Sequence, residues 1–178
     1  ILNSSLGDFS YRGEELAKNN ILDCIGTMLA GSKEKISDIV RKFVRRSGGL
    51  SFSGVVCGKF KSSPFLAALA NGTMAHALDY DDLNWSMMAH PTVSILPALL
   101  AVAEELQTSG DKVIEAYLIG YEVEAKIGLA VNPSHYEWGW HSTGTLGTFG
   151  SVCSVSKPVS YTHLRAHETS LHHVCRLL

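Results

Sequence analysis

The sequence has little that would send it to a membrane, to nucleic acid or to an oxidising compartment. No run approaches the ~18 consecutive apolar residues that mark a membrane span. No basic region followed by an apolar core and a small-residue cleavage site stands behind Ile1, so no signal peptide is expected. Fifteen Lys and Arg face 17 Asp and Glu, a net charge of −2, which excludes the basic footprint of a nucleic-acid or anionic-membrane binder. The four cysteines, Cys24, Cys57, Cys153 and Cys175, are widely spaced and form no CxxC pair. Buried free thiols are expected, in a reducing, cytoplasmic setting. Strand-like alternation never lasts more than a few residues. The glycines of GTLGTFG are no phosphate loop, because no GK[ST] follows and no strand precedes.

What is present is helical periodicity. With 46% hydrophobic residues, 178 residues allow one domain with a sizeable core. From Gly13 to Ala30, positions Leu16, Asn20, Ile21, Cys24, Ile25, Met28 and Leu29 recur at three- and four-residue steps, and Gly31 stops the pattern. Ile36 to Arg46 repeats it, with Arg45 and Arg46 in the last turn, where cations suit the helix dipole. Leu50 to Phe60 is glycine-punctuated and predicts a loop with a short extended piece. Ser63-Pro64 predicts a helix start, and the helix is expected to run through Asp82. Its small residues, among them Ala67, Ala70 and Gly72, should let other helices approach closely.

After a break from Leu83 to Ala89, a helix is expected from Thr92 to Leu106, with Pro97 imposing a kink or a later start. Lys112 to Val131 follows, with Val113, Tyr117, Tyr121, Ile127 and Leu129 inward. Thr143 to Val155 has the small residues of a tightly packed helix. The fold class is all-α.

Two polar islands interrupt this apolar chain. Asn71 to Pro97 holds His76, Asp79, Asp81, Asp82 and His90, and His135 to Thr148 holds His141. If Ala75 to Asp82 is helical, His76–Asp79 and Asp79–Asp82 each share a face, while Tyr80 and Asp81 point elsewhere. Histidine titrates near neutrality and a neighbouring carboxylate fixes its tautomer, so the cluster is a candidate acid/base site. Free N–H groups at the start of the Thr92 helix favour an anionic substrate. The competing reading is a solvated helix end, with His76 a hydrogen-bonded structural histidine. No HxH or HExxH spacing occurs, so no metal site is expected. Trp138 and Trp140, flanking His141, read as packing residues.

Three stretches carry a family resemblance: AKNNILDCIGTMLAGS, LANGTMAHALDYDDLNWSMMAHPTVSILPALLAVAEE and GYEVEAKIGLAVNPSHYEWGWHSTGTLGTFG. In this order, over roughly Phe9 to Lys157, the chain resembles the MmgE/PrpD family, which includes 2-methylcitrate dehydratase, cis-aconitate decarboxylase and an iminodisuccinate epimerase. The resemblance implies a large helical domain, here partial over residues 1–157, a smaller lid domain absent from this chain, and a homodimeric parent. It implies no metal or organic cofactor and a small di- or tricarboxylate substrate. The expected chemistry is proton abstraction next to a carboxylate with loss of water, as in 2-methylcitrate dehydratase. Loss of carbon dioxide and epimerisation are the alternatives within the family.

Motif by motif, the resemblance places Asp79, His90 and His141 as catalytic residues, with Asp79 orienting the histidines, and Asp82 and Thr143 as substrate contacts. Leu83 departs from the Thr that many members carry after the Asp pair, which counts against the decarboxylase. The family's lysine and tyrosine contacts lie beyond the matching stretches. A non-catalytic helical module is the reading from a different class. The chain alone is expected to lack turnover and to expose apolar surface where further helices would pack. Residues 158–178 resemble a translated sequencing adapter, and the His163, His167, His172 and His173 within them are not expected to form a metal site.

Overall fold

The computed structural model describes residues 4–159. Residues 160–178, with their four histidines and Cys175, lie outside the described residues, so the reading of a foreign tail falls there. Seven helices and one small hairpin form the described part: α1 (Tyr11–Gly31), α2 (Lys35–Ser47), β1 (Ser53–Val55), β2 (Phe60–Ser62), α3 (Pro64–His76), α4 (Pro91–Leu106), α5 (Gly110–Val131), α6 (Ser134–Glu137) and α7 (Ser142–Ser156). The chain is mainly helical, as its periodicity implies. The extended piece expected after Leu50 is the antiparallel hairpin, with Ser53 opposite Ser62 and Val55 opposite Phe60.

Helix starts follow local chemistry. Ser10 caps α1 by accepting from the Gly13 N–H at 3.1 Å, and Pro64 and Pro91 each open a helix where a missing N–H leaves nothing unsatisfied. Helix α4 is the central element. Its Val93, Leu96 and Ala101 pack with Cys24 and Met28 of α1, Val44 of α2, Val55 of the hairpin and the Ala67, Ala70 and Met74 face of α3. Its Ile95 and Leu99 pack with Ala17 of α1 and Ala116, Tyr117 and Leu118 of α5. A third cluster joins Met87 and Ala89, in the loop between α3 and α4, to Leu146 of α7.

The small residues act as expected. Gly31 of α1 sits so close to α3 that a Cβ there would stand 2.1 Å from the Met74 carbonyl oxygen. The same device joins α5 to α7, where a Cβ on Gly120 would meet the Gly150 carbonyl at 2.6 Å. Pro97 does not delay the start of α4, which already begins at Pro91 and continues through it. Its ring is buried and faces Gly72 of α3.

Several expectations are corrected. Helix α3 ends at His76, not at Asp82: the Asp79 N–H donates to the His76 carbonyl at 3.1 Å, and Asp79 takes a left-handed φ of 51°, which stops the helix. The α1 and α2 stripes are only partly inward, since Leu29 is 50% exposed and Phe43 is 54% exposed. Leu129 of α5 also faces out. Apolar surface is therefore open on α1 and α2, as anticipated. Cys24 is a buried thiol, but Cys57 is exposed and Cys153 is half-buried. Trp138 is exposed, and Trp140 stacks on His135 with ring centroids 6.1 Å apart, so neither tryptophan is a core residue.

Candidate active site

The site is built where three chain segments meet: the end of α3, the loop 77–89, and the first residues of α4. Losing the helix after His76 is what makes it. A continuous helix would have turned Asp81 away, as the spacing suggested. Instead the loop folds back, closed by the Asn84–Ala89 bridge, and carries Asp81 inward. Its side chain has no solvent exposure.

Asp81 stands between two histidines. Its Oδ1 lies 2.9 Å from Nδ1 of His76, and its Oδ2 lies 3.4 Å from Nδ1 of His90. The second contact is an ion-pair distance without hydrogen-bond geometry, and neither of its two atoms has any other hydrogen bond. A carboxylate only accepts, so it draws the His76 proton to Nδ1, while its other oxygen faces the His90 Nδ1 without a hydrogen bond. The rings meet edge to face with centroids 5.0 Å apart. On the outer side, Asp79 Oδ1 is 3.6 Å from His90 Nε2 and 3.9 Å from His76 Nε2, with its side chain 77% exposed. Asp81 faces the Nδ1 atoms of both rings, whereas Asp79, expected to orient the histidines, lies on their Nε2 side.

Asp82 is turned to α4. Its Oδ1 accepts from the Thr92 N–H at 3.3 Å and its Oδ2 from the Thr92 hydroxyl at 2.8 Å. The Thr92 hydroxyl also meets the Tyr117 hydroxyl at 2.6 Å, and Asn20 donates to that phenol at 3.4 Å. Burial pushes the Asp82 carboxyl up, the Thr92 hydrogen bonds act against this, and the Asp81 charge adds to the rise. Both Asp82 oxygens thus hold the start of α4.

His90 is the N-cap residue of α4, and His141 is the N-cap residue of α7. The two helix starts are tied together: the His90 N–H donates to the Thr143 hydroxyl at 3.0 Å. His141 itself is exposed, and its Nδ1 accepts weakly from the Gly144 N–H at 3.4 Å. Two helix N-termini therefore converge beside the histidine pair; the start of α4, expected to offer free N–H groups, is already taken by Asp82, and that of α7 favours an anionic ligand. Of the residues expected from the sequence, Asp79 and His90 are in direct contact, Thr143 touches His90, Asp82 is turned to Thr92, and His141 is exposed at the start of α7.

Sequence spacing missed Asp81 as the central group, because only the turn after His76 brings it inward. It also missed Glu124 of α5, which is fully buried between α4 and α7. The Ser94 hydroxyl donates to its Oε2 at 3.1 Å, while Oε1 has no hydrogen-bond partner. Burial pushes this carboxyl up to about 8, against the Ser94 hydrogen bond and with a contribution from Asp82. A lone Glu in an amphipathic stretch carries no signal of such burial. A cleft of about 730 Å³ lies elsewhere, lined by Ile25, Val55, Leu100 and Val113, and contains none of the site histidines. Among the described residues, no helix is long and apolar enough to cross a membrane.

Comparison with known proteins places these features in a family. The model of the MmgE/PrpD N-terminal domain matches residues 4–168. The chain is 27% identical over 170 residues to a cis-aconitate decarboxylase of Homo sapiens, covering 92% of this chain and 35% of that protein. It is 28% identical over 148 residues to a cis-aconitate decarboxylase of Mus musculus, covering 79% and 30%. It is also 28% identical over 149 residues to a cis-aconitate decarboxylase-like protein of Aspergillus oryzae, covering 79% and 31%. The chain spans about a third of the length of these curated relatives.

Proposed function

The chain belongs to the MmgE/PrpD family, and from that premise we propose that it supplies the histidine pair of a lyase acting on a small di- or tricarboxylate. One observation carries the reading: the buried Asp81 carboxylate lies against Nδ1 of both His76 and His90, while Nε2 of both rings lies within 3.9 Å of the exposed Asp79. Elimination of water needs a base and an acid. One imidazole takes the proton next to a substrate carboxylate, and the electron pair forms the new double bond. The C–O bond breaks, and the departing hydroxide leaves as water with a proton from the second, protonated imidazole. Proton transfer by a positioned histidine contributes roughly 10²–10⁴-fold. The α7 N-terminus supplies positive potential for the substrate's carboxylates, and His141 offers them its Nε2–H as a donor. Dehydration of a substrate of the 2-methylcitrate kind uses both imidazoles, and it is the first reading.

Decarboxylation is the second reading, favoured by the relatives named above. There the C–C bond breaks, carbon dioxide leaves, and the electron pair spreads onto the neighbouring unsaturated carboxylate until an imidazolium returns a proton. That path needs one acid and no base. A homodimeric, cytoplasmic parent belongs to the same family reading. The test is incubation of the protein with 2-methylcitrate or cis-aconitate in D2O, followed by proton NMR. Water loss from the first supports dehydration, and carbon dioxide loss from the second supports decarboxylation. Absence of turnover and of deuterium exchange with both, in protein that carries the intact histidine pair and the remainder of a full-length relative, overturns the lyase reading.

A further inference from the structure

The Ser94 hydroxyl has one hydrogen and two oxygens in reach. Its Oγ lies 2.7 Å from the Pro91 carbonyl oxygen, at the start of α4, and 3.1 Å from Oε2 of Glu124 in α5. One hydrogen serves one of them at a time. A carbonyl oxygen has no proton to give, whereas a neutral carboxyl has one. Both contacts are therefore complete together only when Glu124 is protonated. The carboxyl then donates to Ser94 Oγ, and Ser94 donates to Pro91. With Glu124 ionised, Ser94 donates to the carboxylate and leaves the Pro91 carbonyl.

We propose that Glu124 is a positioning residue for the histidine pair, acting as the proton donor of a relay that runs through Ser94 to the carbonyl of Pro91, next in the chain to His90. His90 caps α4, and its N–H donates to the Thr143 hydroxyl of α7 at 3.0 Å. A tightened first turn of α4 thus holds the ring that faces Asp81.

The packing around the carboxyl favours the neutral form independently. Glu124 is wholly buried and its Oε1 has no hydrogen-bond partner. An unsatisfied oxygen costs less on a neutral acid than on a carboxylate. Helix α7 closes over both members of the relay with glycines. A Cβ on Gly147 would stand 2.4 Å from Ser94 Cβ, and one on Gly150 would stand 2.5 Å from Glu124 Oε2.

The groups that face Glu124 push the same way. Helix α4 meets it with Ser94, which carries no charge. Helix α7 has no Asp, Glu, Lys, Arg or His, and its Cys153 thiol is raised, first by burial. Asp82, on the loop, adds to the rise of the Glu124 carboxyl, and Tyr121 of α5 is itself raised, first by burial. Burial lifts Glu124 to about 8, so the relay is complete at neutral pH and opens as pH rises past that value. The positioning role rests on the proposed function of His90, whereas the relay is read without turnover.

The test is a pH titration of the 13C,15N-labelled full chain from pH 6 to pH 10, followed by NMR at the Glu124 carboxyl, the Pro91 carbonyl and the His90 amide. The expected result is one ionisation of Glu124 with its midpoint at about pH 8, with the Pro91 and His90 resonances shifting at the same midpoint. In Glu124→Gln the side-chain amide donates to Ser94 at every pH, so the steps at Pro91 and His90 should be lost. In Ser94→Ala, Glu124 should still titrate while Pro91 and His90 no longer follow it. Ionisation of Glu124 below pH 6, or a Glu124 step that leaves Pro91 unmoved, overturns the proposal in the parent protein, whether or not a variant folds. Turnover is compared as the ratio of kcat/KM in Glu124→Gln to that in the parent, which cancels the titration of the histidines. That ratio should rise roughly tenfold from pH 7 to pH 9.5, following the loss of the neutral acid. A ratio independent of pH removes the positioning role. The NMR steps in a protein that turns over neither 2-methylcitrate nor cis-aconitate defeat the lyase reading alone.

Discussion

Asp81 Oδ1 stands 2.9 Å from His76 Nδ1, inside the protein, at the point where α3 gives way to a turn. The same carboxylate faces His90 with its other oxygen. One buried group thereby faces the Nδ1 atoms of two imidazoles on different helices and holds the proton of the first. Asp81→Asn preserves the shape but turns one oxygen into an N–H donor, which forces one ring to carry its proton on Nε2. We expect kcat to fall by roughly 10²–10⁴-fold. The imidazole 15N shifts should show the exchanged tautomer in a folded protein. Unchanged turnover would mean that something else orients the rings.

His141 should behave differently. It is exposed and makes no hydrogen bond or ion pair to His76 or His90; its link to the pair runs through Thr143. As a carboxylate contact it contributes to binding more than to the proton step. His141→Asn, which keeps an N-cap for α7, is expected to raise KM by roughly 10–100-fold, the worth of a charged hydrogen bond. Steady-state kinetics should show kcat much less affected. A fall confined to kcat would move His141 into the proton-transfer step.

Glu124 gives a pH dependence of stability with a definite sign. Its carboxyl is raised from an ordinary 4.5 to about 8, first by burial. Between these values the folded protein holds a proton that the unfolded chain releases. Stability from this group is therefore complete below about pH 4.5 and is lost as pH rises towards about 8. Asp82 is raised as well and slopes the same way, whereas Glu104, held down first by the Lys61 hydrogen bond, slopes the opposite way at lower pH. Comparison with Glu124→Gln isolates the one group. The Tm difference between variant and parent should move in the variant's favour from pH 5 to pH 8. A difference independent of pH would show that Glu124 is ionised in the fold.

The helices were legible because each buries a stripe whose period is local, and a cap such as Ser63-Pro64 announces a start. Asp79, His90 and Thr143 were legible as residues, through motif resemblance. Their arrangement was not. The apolar run of α3 gives no sign that it stops at His76, because the stop is a left-handed Asp79 whose cost is met by contacts made on folding. Once that turn is missed, the three-residue spacing assigns Asp79 and Asp82 to one face and sends Asp81 outward. Glu124 is hidden for a related reason: its burial depends on Gly147 and Gly150 of α7, far away in sequence. Side-chain periodicity reports which face of a helix is apolar, but not which neighbour lacks the atoms to exclude a carboxyl.

Those glycines supply a last contrast. A Cβ on Gly120 would stand 2.6 Å from the Gly150 carbonyl oxygen and 2.7 Å from Ser154 Cβ, so α5 and α7 would have to part. Gly120→Ala is expected to destabilise by about 1–3 kcal/mol, the usual cost of overpacking. Gly72 is also in a helix, but there the nearest atoms to a Cβ are Pro97 Cβ and Cγ at 3.7 Å, an ordinary contact. Gly72→Ala should be neutral or stabilise by about 0.5–1 kcal/mol, since alanine loses less backbone freedom on folding. Urea denaturation of both variants measures the difference. Because α7 also carries Thr143, parting it from α5 should disturb the 3.0 Å hydrogen bond from the His90 N–H. The His90 amide resonance should therefore shift in Gly120→Ala and stay in place in Gly72→Ala. Equal shifts in the two variants would uncouple the α5–α7 seam from the histidine pair.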